Sequence, residues 1–242
     1  MQRVTFFVIG QSNAANFGIA PRISVEGETG KTIHRKTTFP LSDPVPGGGG
    51  NGASVWPRLA VRLKSVAPGS GFDFCLAADG GLTISDLCSP NHFFPTINKQ
   101  ASDLVSMGAP PDFILLHQGE RDTLLHTQRD AYASSCKTLI SQIREIFKAP
   151  VPVILARASY RENQTSEEVR AAQLRLVDPE DAIFEGPDTD ILGRPYRADG
   201  THFNEAGLDG SADAWAHKIV GAADALGFSI RQAAPPSPHP SA

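Results

Sequence analysis

Charge of one sign is never concentrated in this chain. Over 242 residues, 22 Lys and Arg stand against 26 Asp and Glu, a net charge of −4, and no basic block stands out. A protein held to nucleic acid by phosphate neutralisation needs such a block, so the sequence excludes that partner and favours a neutral or modestly polar ligand. Long apolar runs are missing too. A membrane span needs roughly 18 or more consecutive apolar residues, and no segment approaches that length, so no membrane partner is expected. The N-terminal Val4-Thr5-Phe6-Phe7-Val8-Ile9 run is short and lacks the flanks of an export signal. It reads as a strand, and the expected location is cytoplasmic.

Cysteine is scarce. The three present, Cys75, Cys88 and Cys136, are odd in number and widely spaced, which suits neither a disulfide framework nor a zinc cluster. Cys75 and Cys136 sit in apolar patterns and are expected in the core; a Cys75–Cys88 bridge is left open. The seven histidines include no pair at metal-ligand spacing with a third ligand nearby, so no metal is expected. There is no G-x-x-x-x-G-K-[ST] loop. Residues 47–52 match G-x-G-x-x-G formally, but proline-rich sequence and not a strand precedes them, so they read as a flexible loop. No cofactor is implied.

What is present is the composition of one globular domain, 40% hydrophobic and 20% charged. Short runs rich in Val, Ile, Phe and Leu at 4–9, 72–78, 112–117 and 151–156, with a weaker one at 182–184, predict buried strands. Helical patterns fill 55–66, 95–107, 128–147, 166–177 and 204–226. In the third of these, Tyr132, Cys136, Leu139, Ile140, Ile143 and Phe147 form one apolar stripe. Thr165 with Glu168 predicts a capping box at the start of the fourth, and Asn163-Gln164-Thr165, although a glycosylation sequon, is read as part of that cap. Strands alternating with helices predict an α/β fold: a single α/β/α three-layer domain over residues 1–231 with a mostly parallel central sheet. The stretch 20–54 looks irregular and too long for an ordinary connection, so it is expected as a binding loop at the rim of a site. Residues 232–242 form a proline-rich tail, expected to be disordered.

Four segments carry groups suited to acyl transfer, each at a strand end or near the C-terminus. Ser12, after the run 6–9 and between Gly10-Gln11 and Asn13, falls at the carboxyl edge of the sheet, where ligands bind in such folds. A plain helix-capping serine would also sit there. Gly80-Gly81, after the strand 72–78, can bring a backbone N–H close to a ligand. Gln118, in His117-Gln118-Gly119-Glu120-Arg121-Asp122, offers a side-chain N–H at the same edge, as a tetrahedral oxyanion requires. Asp199, three residues before His202, can orient the imidazole and leave its other nitrogen free to take a serine proton. Alone, each has a bland reading as a cap or a turn. Together they supply nucleophile, donors, base and orienting acid.

Gly10-Gln11-Ser12-Asn13, Gly80-Gly81, Gln118-Gly119-Glu120-x-Asp122 and Asp199-x-x-His202 jointly resemble the SGNH hydrolase superfamily (flavodoxin-like in fold), in its sialic-acid O-acetylesterase and carbohydrate esterase family 6 branch. The resemblance implies Ser12 as nucleophile, His202 as general base and Asp199 as its orienting acid. It implies an oxyanion hole from the Ser12 N–H, a Gly80 or Gly81 N–H and Gln118. Gln11, Asn13, Glu120 and Asp122 would support these groups. The implied substrate is an acetyl ester on a carbohydrate. Two positions depart from the pattern: Leu115-Leu116-His117 precede the third block where an aromatic is frequent, and Leu82 follows the glycines in place of Thr or Ser. Both are expected to reshape the acyl or sugar pocket. A lipid or thioester hydrolase of the same superfamily and a noncatalytic carbohydrate-binding module are the competing readings.

Overall fold

The computed structural model describes residues 2–228 and 230. Its centre is β1 (Gln2–Gly10), in which Val4, Phe6 and Val8 pack into one core while Phe7 and Ile9 pack into another. An apolar strand with both faces covered belongs in the middle of a parallel sheet between two helical layers. The other strands are β2 (Gly30–His34), β3 (Thr37–Pro40), β4 (Ser70–Ala78), β5 (Phe113–His117), β6 (Val153–Arg157) and β7 (Ile183–Asp188). They form a seven-stranded sheet in the order β3-β2-β4-β1-β5-β6-β7, parallel throughout except for β3, which runs antiparallel to β2.

Parallel neighbours need crossover connections, and helices provide most of them. These are α1 (Val55–Val66), α2 (Ile84–Cys88), α3 (Phe94–Ser106), the short α4 (Glu120–Leu124), α5 (Arg129–Phe147), α6 (Glu167–Arg175) and α7 (Glu205–Ala225). Helices α1 and α7 pack on the face of Phe6, Phe74 and Leu115; α2, α3, α5 and α6 cover the face of Phe7, Cys75 and Leu116. The expected three-layer α/β/α arrangement is therefore the one found. The stripe on α5 faces the sheet as predicted, with Tyr132, Cys136, Leu139, Ile140 and Ile143 buried and Phe147 partly buried against the same core.

Three expectations need correction. The stretch 20–54 contains β2 and β3, which escape a hydrophobicity reading because every residue of β3 is exposed and β2 has few buried apolar positions. Residues 47–52 are a tethered loop: the Asn16 side chain donates to the Val45 and Gly48 carbonyls and accepts from Val45 N, and Gly49 N bonds Ala78 O. The cap of α6 is Ser166, whose hydroxyl accepts from Val169 N at 3.3 Å, and not Thr165; Glu168 pairs with Arg129 instead. Adjacent hydroxyl residues offer the same cap chemistry, and the preceding turn, in which Arg161 and Gln164 bond each other, selects the second. The cysteines are all free, and Cys75 lies buried against Gln100 and away from Cys88. The tail 232–242 lies outside the described residues.

Trp56, fully buried on α1, packs against Phe74 and Trp215 and donates its indole N–H to Ala14 O at 2.8 Å. One side chain thus joins the core to the turn that follows β1. Trp56→Ala should lower unfolding free energy by about 3–5 kcal/mol. Trp56→Phe should cost about 1–3 kcal/mol, chiefly through the unpaired carbonyl. Urea unfolding followed by circular dichroism measures both.

Candidate active site

The strand register acts as a ruler. Gly10 aligns with Ala78 on one side and with His117 on the other, so the chain leaves three adjacent strands at one level. Ser12 stands two residues beyond Gly10, Gly80 two beyond Ala78, and Gln118 one beyond His117. Gly10 allows the crossing, since a Cβ there would collide with the His117 carbonyl, and Gln11 N bonds that carbonyl at 3.2 Å. Ser12 then opens a single 3-10 turn, Ser12–Ala14, and is 3% exposed.

The residues around Ser12 lock this turn to the neighbouring strand ends. Gln11 Oε1 accepts from Arg121 N at 3.0 Å. Asn13 Nδ2 donates to Glu120 Oε1 at 2.7 Å and to the Thr201 carbonyl at 3.3 Å. Gln118 Nε2 donates to Asp122 Oδ2 at 2.5 Å and to the Leu82 carbonyl at 3.0 Å, and stands 3.4 Å from Gln11 Oε1. Asp122 Oδ2 also accepts from Ile84 N at 2.9 Å, tying the segment after the glycine pair to the segment after β5. Both hydrogens of the Gln118 amide are thereby committed to protein acceptors.

Gly80 and Gly81 differ. Gly80 N donates to its neighbour's carboxylate, Asp79 Oδ1, at 2.7 Å. Gly81 N and Ser12 N have no acceptor among the described residues. Gly81 needs glycine for its φ of +70°, whereas Gly80 needs it because a Cβ would meet the Phe17 ring at 2.8 Å. Phe17 in turn stacks on the His202 imidazole, with ring centres 5.5 Å apart and planes 23° apart.

His202 is held by Asp199 in two ways. Its Nδ1 lies 2.7 Å from Asp199 Oδ2, and its backbone N donates to Asp199 Oδ1 at 2.7 Å. Partial burial opposes ionisation of Asp199, but the His202 amide and ring and the Thr201 amide overcome it and hold the carboxyl down at about 2. Nε2 is left as the free nitrogen of the ring. No hydrogen bond joins it to Ser12 Oγ among the described residues; the two segments meet through Asn13 and Thr201.

Glu120 and Asp122 show opposite electrostatics at one helix start. Burial pushes both carboxyls up. For Asp122 burial wins, in spite of bonds from Ile84 N and Gln118. For Glu120, His117 at 3.5 Å together with Asn13 reverses it and brings the carboxyl down to about 2. The two departures from the family pattern lie behind the site: Leu82 packs into the core with Ile84, and the buried His117 ring lies beside Phe203 and Trp215. A surface groove lined by Lys137, Arg144, Lys148 and Arg175 is at the opposite end of the sheet and contains none of these residues.

Phe17, Thr201 and Arg197 are the residues at this site that the motifs do not name. Arg197 is buried beneath the Asp199–His202 turn and bonds the Thr201 carbonyl. An arginine in a loop gives no signal of such burial. The Arg-Ala-Asp-Gly-Thr-His spacing that places it near the histidine was there to be seen.

The mostly parallel sheet thus carries the Ser12 turn, the Gly80-Gly81 turn, Gln118 and the Asp199–His202 turn at its carboxyl edge. The chain belongs to the carbohydrate esterase, sialic acid-specific acetylesterase family, whose model matches residues 60–220. It is therefore a carboxylic ester hydrolase. The structure is similar to that of an Arabidopsis thaliana protein (18% identity, covering 90% of this chain and 98% of that one, TM-score 0.74). It is also similar to a putative GDSL-like lipase from Parabacteroides merdae (13%, 94% and 97%, TM-score 0.57) and to an acetylxylan esterase from Geobacillus stearothermophilus (14%, 96% and 97%, TM-score 0.55). At these identities the likeness is one of fold. No curated protein matches the sequence. No helix among the described residues is long and apolar enough to cross a membrane.

Because the Glu120 carboxyl lies below its usual value of 4.5, the folded state gains from its ionisation above that value and loses the gain as pH falls towards about 2. Asp199 adds a smaller, more exposed contribution of the same sign. Stability measured by denaturant unfolding should fall between pH 5 and pH 2, and Glu120→Gln should flatten that fall while being less stable at neutral pH. An unchanged acid slope in the variant would contradict this assignment.

Proposed function

We propose that the chain is a serine esterase that removes acetyl groups from carbohydrate hydroxyls through an acyl-enzyme on Ser12. The observation that carries this reading is the convergence of the Ser12 turn, the Gly80-Gly81 turn and the Asp199–His202 turn around the Phe17 and Asn13 side chains. The substrate class rests on the family.

His202, oriented at Nδ1 by Asp199, takes the Ser12 proton on Nε2 as Oγ attacks the acetyl carbonyl. The oxyanion is met by the free N–H groups of Ser12 and Gly81. Gln118 joins them when its whole amide turns about the Cγ–Cδ bond, releasing the Leu82 carbonyl. The sugar hydroxyl leaves with the proton carried by His202. Water then attacks the acetyl-serine, giving up its proton to the same nitrogen; the Ser12 Oγ–acyl bond breaks, His202 returns that proton to Oγ, and acetic acid departs and ionises. Glu120 and Asp122 stay outside the proton path and hold Asn13 and Gln118.

Acetate release from a panel of acetylated sugars tests the reading. Ser12→Ala should remove nearly all serine-dependent turnover, and Gln118→Ala should lower turnover by roughly 10²–10³. Activity should fall with acyl chain length on p-nitrophenyl esters. A Ser12→Ala protein as active as wild type, or a preference for long acyl chains, would contradict the proposal.

A further inference from the structure

The segment that delivers His202 has little regular structure of its own. Between β7 and α7 the chain makes two 3-10 turns, Thr189–Ile191 and Arg194–Tyr196, and two isolated bridges, Arg197 to Phe203 and Asn204 to Ile19. An imidazole carried on such a segment needs another source of rigidity. The Arg197 side chain supplies it.

Arg197 is 2% exposed. Its Nε donates to Leu192 O, its Nη2 to Thr189 O and its Nη1 to Thr201 O, each at 2.8 Å. The guanidinium lies 3.9 Å from the centre of the Phe203 ring and 5.1 Å from that of Tyr160. One planar group therefore gathers both ends of the segment and lies over two aromatic rings. Its cost is visible: burial pulls the Arg197 pKa down, against the opposing charges of Glu120 and Asp190. A buried cation is seldom the most stable filling for such a space, since apolar side chains of similar volume commonly do as well or better.

The placement of the third bond gives that cost a purpose. The Thr201 carbonyl belongs to the peptide unit whose other end is His202 N. Arg197 and Asn13 hold the carbonyl side, and Asp199 Oδ1 holds the N–H side. Rotation of this unit would swing the imidazole away from Ser12, and it is pinned at both ends. Asn13 follows the nucleophile directly, so the pin refers the base to the serine turn.

We propose that Arg197 is a positioning residue for His202. It fixes the Thr201–His202 peptide and thereby the direction of the imidazole, without touching substrate. Lysine cannot replace it, because a single ammonium cannot reproduce the rigid fork that reaches three carbonyls. The inference rests on the reading of His202 as the general base.

The test is steady-state hydrolysis of p-nitrophenyl acetate by wild type, Arg197→Lys, Arg197→Met and Ser12→Ala, each checked for folding by circular dichroism and thermal unfolding. A residue that orients the base should change kcat and leave KM nearly alone: Arg197→Lys is expected to fold, keep KM within about threefold and lose about 10²-fold in kcat. Arg197→Met should lose at least as much. If Arg197→Met does not fold, Arg197→Lys decides by itself. A kcat for Arg197→Lys within about threefold of wild type, or an Arg197→Lys that no longer folds, overturns the assignment. An active Ser12→Ala would instead overturn the serine reading; an inactive Ser12→Ala beside a fully active Arg197→Lys would overturn only the role of Arg197.

Discussion

The hydrogen bond between Asn13 and Glu120 is the interaction on which the rest of the site depends. Glu120 is 1% exposed, and an ionised carboxylate in that position would be strongly disfavoured without compensation. His117 and Asn13 provide it, and because the second Asn13 hydrogen reaches Thr201, the same amide joins the ends of β1 and β5 to the C-terminal turn. A buried charge with few partners tolerates little displacement. The loops that meet there inherit that intolerance, and Ser12, one bond away, inherits it with them.

The sheet supplies the coarse placement and the polar network the fine one. Register along β1, β4 and β5 brings three loops to a common level with no help from side chains. Side-chain bonds then settle the remaining freedom: Gln118 and Asp122 link the segments after β4 and β5, Asn13 links β1 to the histidine turn, and Phe17 fills the space between Gly80 and His202. Acyl transfer asks for donors already in place when charge develops. A frame of this kind holds two backbone N–H groups, those of Ser12 and Gly81, free of competing acceptors among the described residues.

Much of this was legible in the sequence, for identifiable reasons. Strands buried on both faces announce themselves as apolar runs, so β1, β4, β5 and β6 could be read, and the periodic stripe of α5 gave its inner face. The edge pair β2–β3 could not be read: Thr37, Thr38 and Phe39 are exposed and carry no alternation. The helix cap was missed by one residue because Thr165 and Ser166 are chemically equivalent until the preceding turn is known. The four chemical blocks were legible as blocks, since acyl transfer needs few residue types. What distinguishes Gly80 from Gly81 was not, because it lies in which N–H the Asp79 carboxylate captures. Phe17 was invisible for a related reason, and Arg197 showed only its nearness in sequence to His202: each looks like an ordinary loop residue until the fold surrounds it.

The central claim is that Ser12 is the nucleophile of this ester hydrolase and is activated by His202. Labelling with a fluorophosphonate, followed by peptide mapping, tests it most directly. The account predicts one covalent adduct per chain, on Ser12, formed in wild type and greatly slowed in His202→Ala. An adduct on another residue, or none on a folded wild-type protein, would contradict it.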